Sequence, residues 1–150
     1  MYQYYLAYGS NLSVEQMATR CPEAIYVGTA EIKDYQLLFK RGGSGTYLTV
    51  EPEECSTVPV LVWRISERDE QALDYYEAYP SLYYKTTIQV EIKPFIGEKA
   101  EEPTDALIYI MHEEHPLGCP AQEYYNVCLE GYQRFGFDVK FLEKAMKQSE

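Results

Sequence analysis

The chain has 150 residues and a formal net charge of −11, because 24 acidic side chains stand against 13 basic ones. A surface this acidic repels phosphate backbones and anionic lipid, which argues against nucleic acid and membranes as partners. A hydrophobic fraction of 46% over this length is enough to bury one core, so we expect a single domain over residues 1–150.

In the first half of the chain, hydrophobic periodicity predicts mainly strands. The predicted elements, in chain order, are a strand over residues 1–8, a helix capped by Ser13 that ends before Pro22, strands over 25–40 and 46–50, and a buried strand over 58–65. A glycine-rich turn over residues 41–45 joins the second and third strands. Pro59 has no N–H to donate, so we expect it to bend the fourth strand or place it near an edge.

The second half of the chain mixes helices with two more strands. Its predicted elements are a helix capped by Ser66 that stops at Tyr79-Pro80, an alternating strand over 84–92, a polar hairpin loop over 97–104, an apolar central strand over 106–111, a helix opened by Pro120 and a short helix after Asp138. The helices are inserted between the strands and after them. This order predicts an α+β fold whose antiparallel or mixed sheet can curl into a barrel.

The segment Tyr8-Gly9-Ser10-Asn11, at the end of the first predicted strand, is a candidate for binding a ligand. Glycine allows the backbone to approach a ligand closely, and Ser10 and Asn11 offer a hydroxyl and an amide. Successive main-chain N–H groups before a helix can also hold a carboxylate. A plain strand-to-helix turn explains the same residues, so local features leave both interpretations open.

Glu77 is the candidate acid or base. It lies four residues after Leu73, so helical spacing places its carboxyl group beside the apolar stripe near the end of the helix. Desolvation and the helix dipole would both raise its pKa toward the working range of a general base. A glutamate that points to water fits the same spacing. Asp74 is the competing acid, about 100° round the helix from Leu73, and we expect it to be solvated.

Other signatures are weak. No dinucleotide-binding or P-loop motif is present, and His112-Glu113-Glu114-His115 has the wrong spacing for a zinc helix and is followed by Pro116. An exposed loop is the favoured interpretation, and a metal site of His112, His115 and Cys119 is the alternative. The four cysteines form no C-x-x-C pair and no signal peptide is visible, so reduced thiols and a cytoplasmic location are expected.

Two motifs together resemble the γ-glutamylcyclotransferase family, including its AIG2-like small members. Leu6-Ala7-Tyr8-Gly9-Ser10-Asn11-Leu12 is similar to the opening Y-G-S-N loop of the family, and Leu73-Asp74-x-x-Glu77 to its L-D-x-x-E helix. The further matching segments are the strands in Val27–Phe39 and Val58–Trp63, and Pro120–Tyr124 with Gly131 in the helix that closes the pocket. The resemblance implies a small mixed β-barrel with flanking helices.

The resemblance also implies an enzyme. In this family the α-amine of a γ-glutamyl group attacks its own γ-carbonyl, which forms 5-oxoproline and expels an amine or amino acid in an intramolecular acyl transfer. The resemblance implies Glu77 as the acid/base, a small-molecule γ-glutamyl substrate, and no metal or other cofactor. The substrate-binding residues that it implies are Tyr8, Gly9, Ser10, Asn11, Tyr84 and Tyr124. The 16 tyrosines also make a homodimer an expectation.

Two positions depart from the family pattern. Ala78 stands where many members have glycine after the glutamate, and Val60 stands where several have a strand glycine. Either change could narrow the pocket or shift the backbone. They motivate an alternative function, a binding or regulatory module that keeps the same pocket without turnover.

Overall fold

Six strands and four helices make up the part of the chain that the computed structural model describes, residues 2–150. The strands are β1 (Tyr2–Ala7), β2 (Ile25–Gly42), β3 (Gly45–Ser66), β4 (Tyr83–Val90), β5 (Lys93–Pro94) and β6 (Thr104–Met111). The helices are α1 (Val14–Arg20), α2 (Glu67–Tyr76), α3 (Gln122–Arg134) and α4 (Lys140–Ser149), and a 3-10 turn covers Ser10–Leu12. None of the helices in residues 2–150 is both long enough and apolar enough to span a bilayer.

The strands form one mixed sheet in the order β4-β6-β1-β3-β2-β5. β1 lies parallel to β6, and the other neighbouring pairs are antiparallel. The predicted α+β class is therefore confirmed. The predicted barrel was wrong in one respect. Within residues 2–150, β4 and β5 are the two edge strands and do not pair with each other, so the sheet is curled but not closed.

Local capping chemistry sets the helix starts as predicted. The Ser13 hydroxyl accepts the main-chain N–H of Gln16 at the start of α1. Ser66 and Asp69 form a reciprocal capping box at the start of α2, which satisfies two N–H groups that have no partner inside the helix. α2 ends at Tyr76, earlier than the predicted stop at Tyr79-Pro80.

The predicted strands over 46–50 and 58–65 are one continuous strand, β3, which pairs with β2 in a long hairpin. In the acidic segment between them, Glu51, Pro52 and Thr57 pair with β2, whereas residues 53–56 have no partner in register on β2 and are exposed or partly exposed. The register shifts between Lys33 and Tyr35, where Asp34 and Cys55 both have positive φ angles, of 64° and 69°. The Asp34 carboxylate accepts the main-chain N–H of Cys55 at 3.0 Å, which stabilises this irregularity.

Pro59 lies beyond the part of β3 that β1 covers. It pairs with Glu31 of β2, whereas β1 covers the other edge of β3 only from Leu61 onward. The expectation that Pro59 marks an edge is confirmed locally, although β3 is a central strand.

The half of the β2–β3 hairpin nearest its tip curls over the sheet and is joined to β4 and β6 by two hydrogen bonds. The Thr49 hydroxyl accepts the main-chain N–H of Met111 at 2.9 Å, and the Tyr83 hydroxyl donates to the carbonyl of Leu48 at 2.9 Å. These bonds hold the hairpin tip opposite the end of α2. The space between them forms a cavity.

Candidate active site

A cavity of about 330 Å³ opens where the end of β1, the 3-10 turn, the end of α2 and the tip of the β2–β3 hairpin meet. Its size suits a small organic ligand. It is lined by Tyr5, Tyr8, Gly9, Ser10, Asn11, Gly43, Ser44, Tyr47, Leu48, Tyr76, Glu77, Ala78, Leu82, Tyr83, Tyr109 and Tyr124. Glu77 is the charged member of this set, and tyrosines form most of the wall.

Glu77 lies directly after the last residue of α2 and caps it, and its main-chain N–H donates to the carbonyl of Leu73 at 2.8 Å. The residue is half-buried. Desolvation raises the pKa of its carboxyl group to about 7, and the nearby Arg20 guanidinium opposes that rise. Within residues 2–150 the carboxyl group has no hydrogen-bond partner, so it is free to meet a ligand in the cavity.

The turn after β1 faces the same cavity. Ser10 and Asn11 are buried, and the main-chain N–H groups of Leu12 and Ser13 donate to the carbonyls of Gly9 and Ser10. The N–H groups of Ser10 and Asn11 have no acceptor within residues 2–150, as expected for the first residues of a helical turn. A Cβ on Gly9 would lie 3.0 Å from the Tyr124 hydroxyl, so glycine permits the close packing of this turn against α3.

Two side-chain contacts join the turn to the end of α2. The Ser10 and Tyr76 hydroxyls lie 2.8 Å apart, and the Arg20 guanidinium stacks 3.4 Å above the Tyr76 ring. Arg20 also donates to the side-chain oxygen of Asn11. Because Tyr76 immediately precedes Glu77, these contacts fix the two halves of the site against each other.

Several tyrosines of the wall are held by hydrogen bonds to the protein. Tyr8 donates to the carbonyl of Tyr109 at 2.6 Å, and Tyr109 donates to the Asp74 carboxylate at 2.6 Å. The Tyr124 hydroxyl accepts the main-chain N–H of Leu48 at 3.0 Å. Burial raises the pKa of each of these three hydroxyls, so the phenols stay protonated and act as neutral polar groups at neutral pH.

Residues 5–133 match the family model described as gamma-glutamyl cyclotransferase, AIG2-like. The chain belongs to this family. A mouse gamma-glutamylcyclotransferase is 28% identical over 150 residues, covering 93% of this chain and 75% of the relative. The human gamma-glutamylcyclotransferase is 25% identical over 147 residues with the same coverage. A solved gamma-glutamyl cyclotransferase structure superposes with a TM-score of 0.79 at 22% identity, covering 97% of this chain and 86% of that one. The resemblance seen in the sequence is thereby confirmed.

Of the seven residues that the cyclotransferase resemblance assigns to the site, six line the cavity: Glu77, Tyr8, Gly9, Ser10, Asn11 and Tyr124. Tyr84 does not. It lies on the other face of β4, where its hydroxyl bonds to the Glu113 carboxylate and its ring packs beside His112. Tyr83, one residue earlier, is the tyrosine of β4 that lines the cavity.

Asp74 of the L-D-x-x-E motif is not solvated as expected. Its carboxylate accepts the Tyr109 hydroxyl and pairs with Lys85 at 3.0 Å. Lys85 also pairs with Glu70 at 2.8 Å. Asp74 therefore ties α2 to β4 and β6 and holds a wall tyrosine, while Glu77 is the acid that faces the cavity.

Sequence reasoning missed five tyrosines of the cyclotransferase cavity: Tyr5, Tyr47, Tyr76, Tyr83 and Tyr109. For Tyr83 the sequence carries only part of the signal. The period of two along β4 places Tyr83 on the same face as Lys85 and opposite to Tyr84, and Lys85 faces α2 through its ion pairs. Only the pairing of the strands shows that this face borders the cavity.

The alternative metal site does not form. Within residues 2–150 no three histidine, cysteine or acidic side chains are grouped to hold a metal ion. The His112 ring lies 2.8 Å from the carbonyl of Pro80, and the Cys119 sulfur lies near Ser149 at the end of α4. The segment after β6 is a turn with exposed acidic residues, as its favoured interpretation predicts.

The two departures from the cyclotransferase pattern have different consequences. Ala78 lines the cavity and has a φ angle of 51°, in the left-handed region where glycine is favoured, which costs about 1 kcal/mol for a residue with a Cβ. Val60 is fully buried and pairs with Ala30 inside the sheet, so it belongs to the core and not to the cavity wall. Of the two, only Ala78 can affect the shape of the site directly.

Proposed function

We propose that this protein is a γ-glutamyl cyclotransferase that converts a γ-glutamyl amine or γ-glutamyl amino acid to 5-oxoproline. The observation that carries the proposal is the position of Glu77. A half-buried carboxyl group with a pKa near 7 shares one small cavity with the Gly9–Asn11 turn. Family membership supports the reaction class.

Glu77 is proposed as the acid/base. An α-ammonium group cannot attack a carbonyl because its lone pair is occupied, and a carboxylate with a pKa near 7 can remove a proton from it. The α-nitrogen then bonds to the γ-carbon, and the bond from the γ-carbon to the leaving nitrogen breaks. Two protons leave the α-nitrogen and two reach the departing amine, which departs as an ammonium ion. Glu77 carries these protons in turn and ends ionised, as it began.

The remaining groups position the substrate. The main-chain N–H groups of Ser10 and Asn11 have no acceptor in the described chain, and we propose that they bind the α-carboxylate. Tyr8 and Tyr124 form walls that favour a folded γ-glutamyl conformation. Folding the chain makes the attack intramolecular, which removes much of the entropic barrier.

The test is to incubate the purified protein with a panel of γ-glutamyl amino acids and γ-glutamyl amines and to measure 5-oxoproline by mass spectrometry. We expect turnover of at least one panel member, with kcat/KM rising as the pH increases through about 7, where free Glu77 loses its proton. Glu77→Gln should lower kcat by about 10²-fold or more, the usual contribution of a general acid/base.

Glu67→Gln is the matched control, since Glu67 is exposed at the opposite end of α2 and the substitution removes the same charge. It should keep the parent rate. Parent-level turnover by Glu77→Gln would remove Glu77 from the mechanism. Ligand-induced thermal stabilisation with no product from any panel member would favour the binding-module alternative instead.

A further inference from the structure

Tyr5 uses its hydroxyl differently from Tyr8, Tyr83 and Tyr109. Tyr124 of the cavity lining resembles it, because the Tyr124 hydroxyl accepts the main-chain N–H of Leu48. The hydroxyl protons of Tyr8, Tyr83 and Tyr109 are all donated to protein acceptors, at 2.6, 2.9 and 2.6 Å. The Tyr5 oxygen instead accepts a hydrogen bond from the side-chain nitrogen of Asn11 at 2.8 Å. Within residues 2–150 no acceptor takes the Tyr5 proton, and Tyr5 lines the cavity.

Arg20 determines which atom of the Asn11 amide faces Tyr5. A guanidinium group can only donate hydrogen bonds, so the Asn11 atom that contacts Arg20 must be the oxygen. The amide nitrogen is then turned toward Tyr5. Arg20 is itself fixed by stacking on Tyr76 and by a bond of 3.3 Å to the side chain of Gln16.

The main chain of Asn11 is anchored as well. Its carbonyl accepts the indole N–H of Trp63 at 3.0 Å. Because the Asn11 nitrogen occupies a lone pair of the Tyr5 oxygen, the Tyr5 proton must point elsewhere, and the cavity is the open direction. The Tyr5 ring is 4% exposed and meets the Tyr109 ring edge to face at 5.9 Å, which restricts its movement.

We propose that Tyr5 is a further catalytic residue, which donates a hydrogen bond to the γ-carbonyl oxygen as negative charge develops there, with Asn11 and Arg20 as positioning residues. This inference rests on the proposed function. Burial raises the pKa of Tyr5 well above its ordinary value, so it stays a donor at every pH at which Glu77 works. A donor oriented in advance in a desolvated site stabilises an oxyanion strongly.

The role adds no proton to the reaction. When the α-nitrogen adds to the γ-carbon, the carbonyl π electrons move to oxygen, and the Tyr5 hydroxyl shortens its hydrogen bond to that oxygen without losing its proton. When the leaving nitrogen departs, the electrons return and the carbonyl of 5-oxoproline forms. Glu77 transfers the protons, and Tyr5 stabilises the negative charge on the γ-carbonyl oxygen.

The first test is Tyr5→Phe, which keeps the ring and removes the hydroxyl. We expect kcat to fall by about 10²–10³-fold, as for loss of one oxyanion donor, with KM changed by less than about threefold. Tyr132→Phe is the matched control. Its hydroxyl is also buried but has no hydrogen-bond partner among residues 2–150, and it lies outside the cavity lining, so kcat should stay at the parent value.

The second test reverses the hydrogen bond without touching Tyr5. In Asn11→Asp the carboxylate still accepts from Arg20 but cannot donate to Tyr5, so the Tyr5 hydroxyl turns to donate to it and leaves the cavity. We expect kcat to fall by about 10²-fold in the parent background. In the Tyr5→Phe background the same substitution should cost less than about threefold, because the two changes remove one interaction.

The outcomes separate this inference from the proposed function. An active parent with a Tyr5→Phe variant that keeps kcat within twofold would overturn the role of Tyr5 and leave the cyclotransferase proposal standing. Additive losses in the double variant would overturn the positioning role of Asn11. Thermal unfolding of each variant shows whether it is folded, and Asn11→Asp tests the idea with the Tyr5 ring and hydroxyl unchanged. A parent without turnover would overturn both proposals.

Discussion

At the scale of single residues, the burial of Glu77 serves the proposed chemistry and weakens the fold. The carboxyl pKa rises from its ordinary 4.5 to about 7 through desolvation, so between those values the folded chain holds a proton that the unfolded chain releases. The contribution of Glu77 protonation to the stability of the fold is therefore complete below pH 4.5 and is lost as the pH rises through about 7. The proposed function therefore places the best activity in the pH range in which ionised Glu77 lowers the stability of the fold.

Glu77→Gln should remove that cost. At pH 8 we expect the variant to unfold with a free energy on the order of 2 kcal/mol higher than the parent, because partial exposure of Glu77 reduces the full linkage value. At pH 5 the gain should fall by more than half, since the parent carboxyl is then protonated in the folded state. Urea unfolding at both pH values measures this, with Glu67→Gln as the control. A gain of equal size at both pH values would show that ionisation of Glu77 is not its cause.

At the scale of elements, α3 sets the position of the turn that carries the candidate ligand-binding residues. Gly131 packs directly on Leu12, which follows Asn11 in the chain, and a Cβ on Gly131 would lie 2.4 Å from the Leu12 Cβ. That separation is too short for two carbon atoms. The glycine lets α3 close over the 3-10 turn, where Tyr124 from the same helix meets Gly9.

Gly131→Ala should therefore displace the turn that carries Ser10 and Asn11, although Gly131 does not line the cavity. Overpacking at a fully buried contact costs typically about 1–3 kcal/mol, and the displaced Leu12 should carry Asn11 with it, so we expect lower stability together with a reduced kcat. Glu130→Ala, an exposed neighbour on the same helix, should change stability by less than about 0.5 kcal/mol and leave kcat unchanged. Chemical unfolding and the 5-oxoproline assay give both values. Parent-level activity in Gly131→Ala would mean that the turn tolerates this shift.

The elements also show what the sequence could and could not predict. The helix starts at Ser13 and Ser66 depend on residues three positions apart, and the spacing of those capping residues in the sequence identified them. The sequence pointed to Tyr84 where the structure has Tyr83 in the cavity. Choosing correctly required knowing which face of β4 borders the cavity, and the pairing of β4 with β6 sets that face. The bonding of Tyr5 to Asn11, and of Asn11 to Arg20, depends on the turn between β1 and α1 and leaves no periodic signal.

At the scale of the whole molecule, the cavity draws on β1, the hairpin tip, α2, β4, β6 and α3, so its shape depends on the curl of the entire sheet. The curled sheet must hold together despite strong electrostatic repulsion among the acidic side chains. Within residues 2–150 there are five ion pairs, against a net charge of −11 for the full sequence. Most acidic groups therefore face water and one another.

Screening this repulsion should stabilise the fold. Raising NaCl from about 20 mM to about 300 mM shortens the Debye length to below the spacing of most surface charges, so we expect Tm at pH 8 to rise by a few degrees. The surface ion pairs weaken under the same conditions, but exposed pairs contribute little, and the larger like-charge term decides the sign. KCl at equal concentration should give the same rise, whereas sucrose, which carries no charge, separates screening from solute exclusion. A Tm that falls with added NaCl would show that the ion pairs, led by Lys85 with Glu70 and Asp74, outweigh the net repulsion.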